Sequence, residues 1–229
     1  TAASMVINDF VDRELDTINE PNRPIPRGSV SSKEALSFAV ILAFIGLVAA
    51  FKISFVCLFV AMMALVISLL YVTKGKRTGL LGNFLVSATV VTPFIYGALV
   101  IGRLEMSVIL FVAMVFFSNT GREITKGIVD IEGDRVHNIK TLAVIHGRQT
   151  AALIASIFYF LAVLLSPLPW FLGLVSILFI PFVILTDLGL VASSIMLLRN
   201  YSRTNAKKVK NLNLIFFITG LLAFIVGTA

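Results

Sequence analysis

Seven apolar runs, each close to the length that crosses a lipid bilayer, constrain this sequence more than any other feature. They cover residues 35–51, 53–72, 80–102, 106–121, 150–166, 171–190 and 211–228. A transmembrane helix needs about 20 mainly apolar residues. The composition agrees, because 58% of the residues are hydrophobic and only 14% are charged. We therefore predict an all-α, polytopic membrane bundle, and we exclude a soluble domain and a disordered chain.

The fourth and sixth runs depart from a simple upright span. The fourth is short but has no helix breaker before Gly121, so we expect its helix to continue into the polar residues beyond. The sixth can be extended to Arg199, which is too long for one upright span, and Pro181 offers a place for a kink. The glycines expected to allow close packing between spans are Gly46, Gly97 and Gly102.

Basic residues collect on one face when the connecting segments are assigned alternately to the two sides of the membrane. Seventeen of the 19 lysines and arginines lie on that face, and only Lys52 and Arg103 lie on the other. By the positive-inside rule the rich face is cytoplasmic. The net charge of +7 therefore reflects membrane topology, and we expect no nucleic-acid partner. Since ten of the 12 acidic residues share this face, we predict a cell-membrane protein with its active site on the cytoplasmic side.

An acidic cluster near the start of the chain, residues 8–16, is the first candidate for chemistry. Its carboxylates Asp9, Asp12 and Asp16 are three and four residues apart, which places them on one face of a helix. Oxygen ligands of this kind suit Mg²⁺, which binds through one or two carboxylates together with substrate phosphates. The alternative is an ordinary solvated acidic helix end.

A second acidic cluster lies about 120 residues later on the same predicted face. Asp130 and Asp134 are four residues apart and would also share a helix face. Two such clusters favour a diphosphate that is bridged by Mg²⁺, with one acidic helix end on each side. Basic residues near the clusters could bind the phosphates, although anionic lipid headgroups are competing partners. These basic residues are Arg23, Lys76, Arg122, Lys126 and Lys140.

Three segments resemble the motifs of the UbiA superfamily of intramembrane prenyltransferases. The segment from Asn8 to Gly28, NDFVDRELDTINEPNRPIPRG, is similar to the NDxxDxxxD motif with its trailing RPxPxG. The segment from Arg122 to Gly147, REITKGIVDIEGDRVHNIKTLAVIHG, resembles the DxxxD motif and the KTxxxxxG that follows it. The segment from Tyr71 to Asn83, YVTKGKRTGLLGN, resembles the Tyr- and Lys-containing loop between them. The resemblance covers essentially the whole chain.

This resemblance implies a single domain, residues 1–229, with a bundle of about nine spans around a central cavity. Seven complete spans and the end of another are visible, so about one and a half N-terminal spans are expected to be missing. The resemblance also implies a site that binds a prenyl diphosphate through Mg²⁺. The residues implied to form it are Asn8, Asp9, Asp12, Asp16, Asp130 and Asp134, with Tyr71 from the middle segment.

The segments are most similar to the archaeal branch of the superfamily that makes digeranylgeranylglyceryl phosphate. That similarity implies transfer of a geranylgeranyl group, through an allylic carbocation, to a hydroxyl of a glycerol-phosphate ether lipid precursor. Gly127 stands where this branch is expected to have an acid. An aromatic or chlorophyllide acceptor is therefore an alternative. A transporter of anionic lipid or substrate is a rival of another class, but Asp187 is the one ionisable residue near the middle of a predicted span.

Overall fold

The chain is built almost wholly from helices. The computed structural model describes residues 2–19, 21–136 and 138–228, and within these ranges the chain forms eleven α-helices and no strands. In chain order they are α1 Ala2–Val11, α2 Arg13–Asn19, α3 Ser32–Ile53, α4 Phe55–Thr73, α5 Leu80–Ile101, α6 Met106–Val129, α7 Ile131–Val136, α8 Leu142–Leu165, α9 Leu168–Phe171, α10 Phe179–Arg199 and α11 Arg203–Thr228. A 3₁₀ turn, Gly75–Arg77, follows α4.

Seven helices of the described residues are long and apolar enough to cross a membrane, namely α3, α4, α5, α6, α8, α10 and α11. Each one overlaps one of the seven predicted apolar runs. On α3 to α5 most large apolar side chains remain exposed, which a soluble protein would not tolerate over so large an area. The predicted all-α polytopic bundle is therefore confirmed.

Three helices extend further into polar sequence than the apolar runs. Helix α6 continues past Gly121 to Val129, as expected, and α11 begins at Arg203. Helix α8 begins at Leu142 but bends at Gly147, whose φ of 82° is not helical. Charged residues lower the hydropathy of a segment without breaking its backbone hydrogen bonds. The ends of the spans therefore project beyond the apolar layer and carry polar side chains to one face of the bundle.

The predicted start of the sixth span is wrong. Helix α10 begins at Phe179, because Gly173 takes a left-handed conformation with φ of 66° and the chain turns there. The Ser176 N–H then donates to the Gly227 carbonyl at 2.7 Å instead of entering a helix. Pro181 lies in the first turn of α10, where backbone N–H groups have no acceptor within the helix. The N–H that proline lacks therefore removes no helical hydrogen bond, and Pro181 does not kink the span.

The packed core lies between α6, α8, α10 and α11. Gly121 of α6 is so close to the Tyr159 ring of α8 that a Cβ at position 121 would lie 2.7 Å from it. The fully buried Tyr159 hydroxyl is 2.9 Å from the Thr125 hydroxyl and accepts from Asn213 Nδ2 at 2.7 Å. Ser193 donates to Asn213 Oδ1 at 2.7 Å. A continuous buried polar network thus joins all four helices.

The glycines that the sequence assigned to helix packing have other roles. A Cβ at Gly46 or Gly97 would have no neighbour within 4 Å, and both residues line an internal cavity. Gly102 ends α5 in the left-handed conformation, with φ of 74°. The close packing occurs at Gly121 and at Gly189, where a Cβ would overlap the Phe216 ring. The packing prediction for the first three glycines was wrong, because sequence alone does not reveal which face of a span meets a neighbour.

Candidate active site

The first acidic segment folds as two short helices, and the junction between them keeps the helical register. Helix α1 ends at Val11 and α2 begins at Arg13. Across the junction, the Asp12 N–H donates to the Asn8 carbonyl at 2.9 Å and the Asp16 N–H donates to the Asp12 carbonyl at 2.8 Å. Side chains four residues apart therefore stay neighbours, as in a continuous helix.

Arg23 joins the two outer carboxylates of this segment. Its Nη1 atom donates to Asp9 Oδ1 at 2.9 Å and to Asp16 Oδ2 at 2.8 Å. The arginine comes from the loop after α2, where the Arg27 N–H donates to the Arg23 carbonyl at 2.9 Å and holds the backbone in a turn. The structure therefore brings Asp9, Asp16 and Arg23 to one point.

Asp16 is the buried member of the acidic group, and its side chain is only 8% exposed. Burial raises the pKa of the Asp16 carboxyl above its ordinary value, because desolvation disfavours the charged form. Arg23 acts in the opposite direction, and the nearby charges of Asp12 and Asp9 add to the rise. A positive group beside Asp16, such as the Arg23 guanidinium, therefore favours its charged form.

A cavity of about 1010 Å³ opens beside this acidic group. One end is polar and is lined by Asn8, Asp9, Arg23 and Tyr71. The other end is mainly apolar and reaches Ala61, which lies ten residues from Tyr71 and thus ~15 Å away along α4. The further lining residues of α3 and α5 include Leu42, Ala43, Gly46, Leu47, Val90, Pro93, Tyr96 and Gly97. The cavity therefore suits an amphiphile with an anionic head and a hydrocarbon tail.

The second acidic segment starts where α6 ends. Asp130 follows the last residue of α6. The Asp134 N–H donates to the Asp130 carbonyl at 2.9 Å, so the two aspartates are one helical turn apart. Both are partly buried. Arg203 of α11 donates from Nε to the Val129 carbonyl at 3.1 Å and fixes the end of α6. The acidic neighbour Glu132 is directed away, in an ion pair with Arg148.

Glu123 organises the basic residues of α6, a role that its sequence position did not reveal. Arg122 Nη1 donates to Glu123 Oε1 at 3.1 Å, and Lys126 Nζ lies 3.9 Å from Glu123 Oε2. The Glu123 side chain is only 11% exposed. Arg122 Nε is buried without an acceptor among the described residues. The sequence does show an acid close to two basic residues. Such pairs, one or three residues apart, are common on any helix, so the pattern did not single out Glu123.

Tyr71 connects the two acidic segments. It is largely buried at the polar end of the cavity, in the field of Asp12 from the first segment and of Glu123 and Asp134 from the second. The last turn of α4 thus lies within electrostatic range of both clusters. One side chain therefore lies within electrostatic range of an acid from each predicted cluster, Asp12 and Asp134, although the clusters are separated by more than 100 residues.

The remaining predicted residues lie around the edge of this group. Lys140 is exposed, and its carbonyl is close enough to the loop before α5 that a Cβ at Gly79 would lie 3.1 Å from it. Lys76 belongs to the 3₁₀ turn of that loop, but its side chain lies outside the described part of the chain. Gly127 faces Thr141, because a Cβ at position 127 would lie 3.6 Å from the Thr141 Cβ. The acid expected there would therefore point toward Thr141, at the start of α8.

In the described part of the chain, the carboxylates beside the cavity are too few to hold a metal ion by themselves. They suit a cation whose remaining ligands come from a bound substrate. Among the described residues, no three Asp, Glu, His or Cys side chains are grouped closely enough to hold a metal ion. Asp9 and Asp16 nevertheless converge on a single cationic nitrogen, Arg23 Nη1. Two carboxylates beside a cavity for an anionic head match the way Mg²⁺ binds, with substrate phosphates completing its ligands.

Residues 1–221 match the family model described as the UbiA prenyltransferase family. The chain belongs to this family. It is therefore a multi-pass membrane prenyltransferase, and the resemblance identified from its three motifs is confirmed.

Curated UbiA relatives cover almost all of the chain. It is 36% identical to the digeranylgeranylglyceryl phosphate synthase of Methanosarcina mazei, over 99% of this chain and 78% of that protein. It is 34% identical to the enzyme of the same name from Sulfolobus acidocaldarius, over 99% of this chain and 81% of that protein.

Solved UbiA structures share the fold. A structure described for digeranylgeranylglyceryl phosphate synthase in membranes has a TM-score of 0.85 and 33% identity, and the match covers 99% of this chain and 81% of that one. A UbiA homologue from Archaeoglobus fulgidus, solved with GPP and Mg²⁺, has a TM-score of 0.69 and 17% identity, with coverage of 98% and 83%. At that identity the second match supports the fold alone.

Proposed function

We propose that this prenyltransferase transfers a geranylgeranyl group from its diphosphate to a hydroxyl of a glycerol-phosphate ether lipid precursor. The observation that carries the proposal is the cavity, which has Asn8, Asp9, Arg23 and Tyr71 at one end and an apolar wall beyond them. Such a cavity accepts a charged head and a long hydrocarbon tail. The names of the relatives in Methanosarcina and Sulfolobus support this donor and acceptor.

The protein's side chains bind and orient the diphosphate in this proposal. Asp9, Asp12 and Asp16 of the first acidic segment and Asp130 and Asp134 of the second would hold Mg²⁺. The metal, when bound, neutralises the negative charge that develops on the leaving diphosphate. Asn8 and Tyr71, together with the basic groups Arg23 and Lys76, contact the diphosphate oxygens. Together these groups hold the donor in one orientation while its carbon–oxygen bond breaks.

The apolar wall of the cavity protects the reaction from water. When the prenyl carbon–oxygen bond breaks, its electron pair leaves with diphosphate and an allylic carbocation remains. Water would quench that cation, so a dry cavity is required. Tyr71 and Tyr96 line the cavity and offer ring faces that can stabilise a positive charge. The acceptor oxygen then bonds to the cationic carbon, and its proton passes to a carboxylate of one of the two motifs.

The acceptor carries a phosphate in this proposal, and α6 supplies the groups that recognise it. Arg122 Nε is buried without an acceptor in the described part of the chain, and the Lys126 side chain is half exposed beside Glu123. Lys140 lies on the adjoining loop. These groups lie on the face that the positive-inside rule assigns to the cytoplasm, so both substrates enter from the cytoplasmic side of the cell membrane.

A transporter fits the described residues less well. Asp187 lies twelve residues before the end of α10, ~18 Å from its cytoplasmic end by helical rise, and hence not at the cytoplasmic interface. Ser166 donates to Asp187 Oδ2 at 2.6 Å, so this acid is paired locally. A coupling role usually requires an intramembrane acid that faces a translocation path.

The function is tested by product analysis with purified protein, labelled geranylgeranyl diphosphate, Mg²⁺ and a panel of acceptors. We expect an ether-linked product with geranylgeranylglyceryl phosphate and none after chelation of the metal by EDTA. Product with 4-hydroxybenzoate or chlorophyllide alone would contradict the proposed acceptor. Absence of product with every acceptor, in protein that binds the donor, would contradict prenyl transfer.

A further inference from the structure

The guanidinium group of Arg23 occupies the point at which two carboxylates of the first acidic segment converge. One nitrogen, Nη1, lies 2.9 Å from Asp9 Oδ1 and 2.8 Å from Asp16 Oδ2. A cation that is coordinated by both carboxylates would need the same space. Arg23 and a divalent cation therefore cannot occupy this position together.

The electrostatics explain why a cation is held there. Asp16 is almost fully buried, and Asp9 and Asp12 place two more carboxylates on the same side of the helix. Like charges at this spacing repel one another, and burial penalises the charged form of Asp16. A positive group that bridges Asp9 and Asp16 removes most of this cost when no metal is bound.

The loop that carries Arg23 fixes its backbone and leaves its side chain free to turn. Its carbonyl accepts from the Arg27 N–H at 2.9 Å, and the Pro24 carbonyl accepts from the Ser29 N–H at 3.0 Å. Gly28 closes the turn with φ of 76°. The Arg23 side chain is 39% exposed and lines the polar end of the cavity. The guanidinium group therefore already lies next to the cavity and needs only a side-chain rotation to turn from the carboxylates toward it.

We propose that Arg23 is a resident counter-ion of the Asp9–Asp16 pair, which the divalent cation displaces when the diphosphate arrives. This inference rests on the proposed function, because it assumes that a diphosphate is the ligand of the cavity. The released guanidinium then pairs with the diphosphate, since arginine matches phosphate oxygens with two parallel hydrogen bonds. Metal alone must compete with Arg23, whereas metal with diphosphate gives Arg23 a new partner.

Coupled binding of metal and diphosphate follows from this exchange. The free protein binds a divalent cation weakly, and the diphosphate strengthens that binding. Because coupling between two ligands is reciprocal, the cation strengthens diphosphate binding by the same factor. If Arg23 formed only a structural ion pair that held the loop against α1 and α2, the coupling between metal and diphosphate binding would not depend on Arg23.

The test measures Mn²⁺ binding to the full chain in detergent by electron paramagnetic resonance, with no prenyl diphosphate present. Arg23→Gln should bind Mn²⁺ about tenfold more tightly than the unaltered protein, because the ion pairs of Arg23 with Asp9 and Asp16 no longer compete with the metal. Arg27→Gln is the matched control, since it removes the same charge from the same loop and Arg27 is exposed. The control should bind Mn²⁺ with nearly unchanged affinity.

A second titration adds a non-hydrolysable geranylgeranyl diphosphate analogue. The analogue should strengthen Mn²⁺ binding in the unaltered protein and in Arg27→Gln, and strengthen it much less in Arg23→Gln. An equal effect of the analogue in all three proteins would overturn the proposal. Equal or weaker Mn²⁺ binding by folded Arg23→Gln in the first titration would also overturn it.

Arg23→Lys supplies the test if Arg23→Gln does not fold. Lysine keeps the charge but cannot reproduce the guanidinium contacts to both carboxylates, so its Mn²⁺ affinity should fall between those of the unaltered protein and Arg23→Gln. An affinity equal to or below that of the unaltered protein would refute the exchange. Both readouts are independent of turnover. Prenyl transfer with no dependence of Mn²⁺ binding on Arg23 would reject only this inference, whereas the predicted dependence without transfer would reject only the proposed reaction.

Discussion

At the scale of single residues, the site depends on acids that neutralise basic groups as much as on acids that could bind metal. Glu123 is nearly buried, and it contacts both Arg122 and Lys126. A charge-assisted hydrogen bond to Arg122 and an ion pair with Lys126 help to fix these long side chains in one orientation. We therefore expect Glu123 to position the groups that recognise the acceptor phosphate, without itself contacting a substrate.

Replacing Glu123 by glutamine should weaken acceptor use more than donor use. The amide keeps the shape of the side chain but loses the charge that orients Arg122 and Lys126. We expect kcat/KM for the acceptor to fall roughly tenfold, the equivalent of about 1.4 kcal/mol, with a smaller change for geranylgeranyl diphosphate. Steady-state kinetics with each substrate varied in turn measures this difference.

Glu14→Gln is the control for that prediction. Glu14 also pairs with an arginine, Arg13, but its side chain is 88% exposed and the pair is solvated. Exposed pairs of this type contribute little. An equal loss of acceptor kcat/KM in both variants would contradict a specific role for Glu123.

Individual site residues differ in how far sequence could predict them. Asp9 and Asp16 were predictable as neighbours, because helical spacing alone brings residues of one face together. The contacts of Arg23 with these two aspartates were not predictable, because the path of a loop depends on its tertiary surroundings. Glu123 carries no local feature that separates it from an ordinary helix-surface acid. Gly46 and Gly97 resemble packing glycines in sequence, and only the arrangement of the spans reveals that they line a cavity.

At the scale of helices, a buried polar network joins α6, α8, α10 and α11. It stabilises the position of α6, which the second acidic segment follows. The Tyr159 hydroxyl is its centre, because it contacts both Thr125 and Asn213. Buried polar groups without partners are costly in a lipid environment. The network therefore fixes the register of α6, whose end carries Asp130.

Tyr159→Phe should lower the stability of the protein in detergent. The substitution removes one hydroxyl and leaves the Asn213 amide without its acceptor, which should cost about 1 to 2 kcal/mol. The midpoint of thermal unfolding measures the loss. Tyr201→Phe, at an exposed position after α10, should leave the midpoint unchanged. The prediction fails if the two variants unfold at the same temperature.

The seven spans were predictable because a bilayer imposes one length and one composition on every helix that crosses it. Their ends were less predictable. Helices α6 and α11 continue into charged sequence, which hydropathy excludes, and residues 172–178 are apolar but turn at Gly173. Backbone hydrogen bonds decide where a helix ends, and several of those bonds are tertiary, such as that from Ser176 to Gly227.

At the scale of the whole molecule, charge and apolar area are separated along the membrane normal. Seventeen of the 19 basic residues and ten of the 12 acidic residues lie on one predicted face. The cavity runs from that charged face into the bundle. This arrangement lets a charged head stay near the aqueous face while its tail occupies the apolar interior.

The central claim is that the two acidic segments act together on one prenyl diphosphate. The most direct measurement is the rate of geranylgeranyl transfer by Asp9→Asn and Asp130→Asn, each compared with Glu105→Gln, an acid on the opposite face. Each aspartate variant should lose about a hundredfold or more in kcat, the size expected when a group that stabilises leaving-group charge is removed. The Glu105 variant should retain full activity. Transfer by both aspartate variants at the rate of Glu105→Gln would contradict the account.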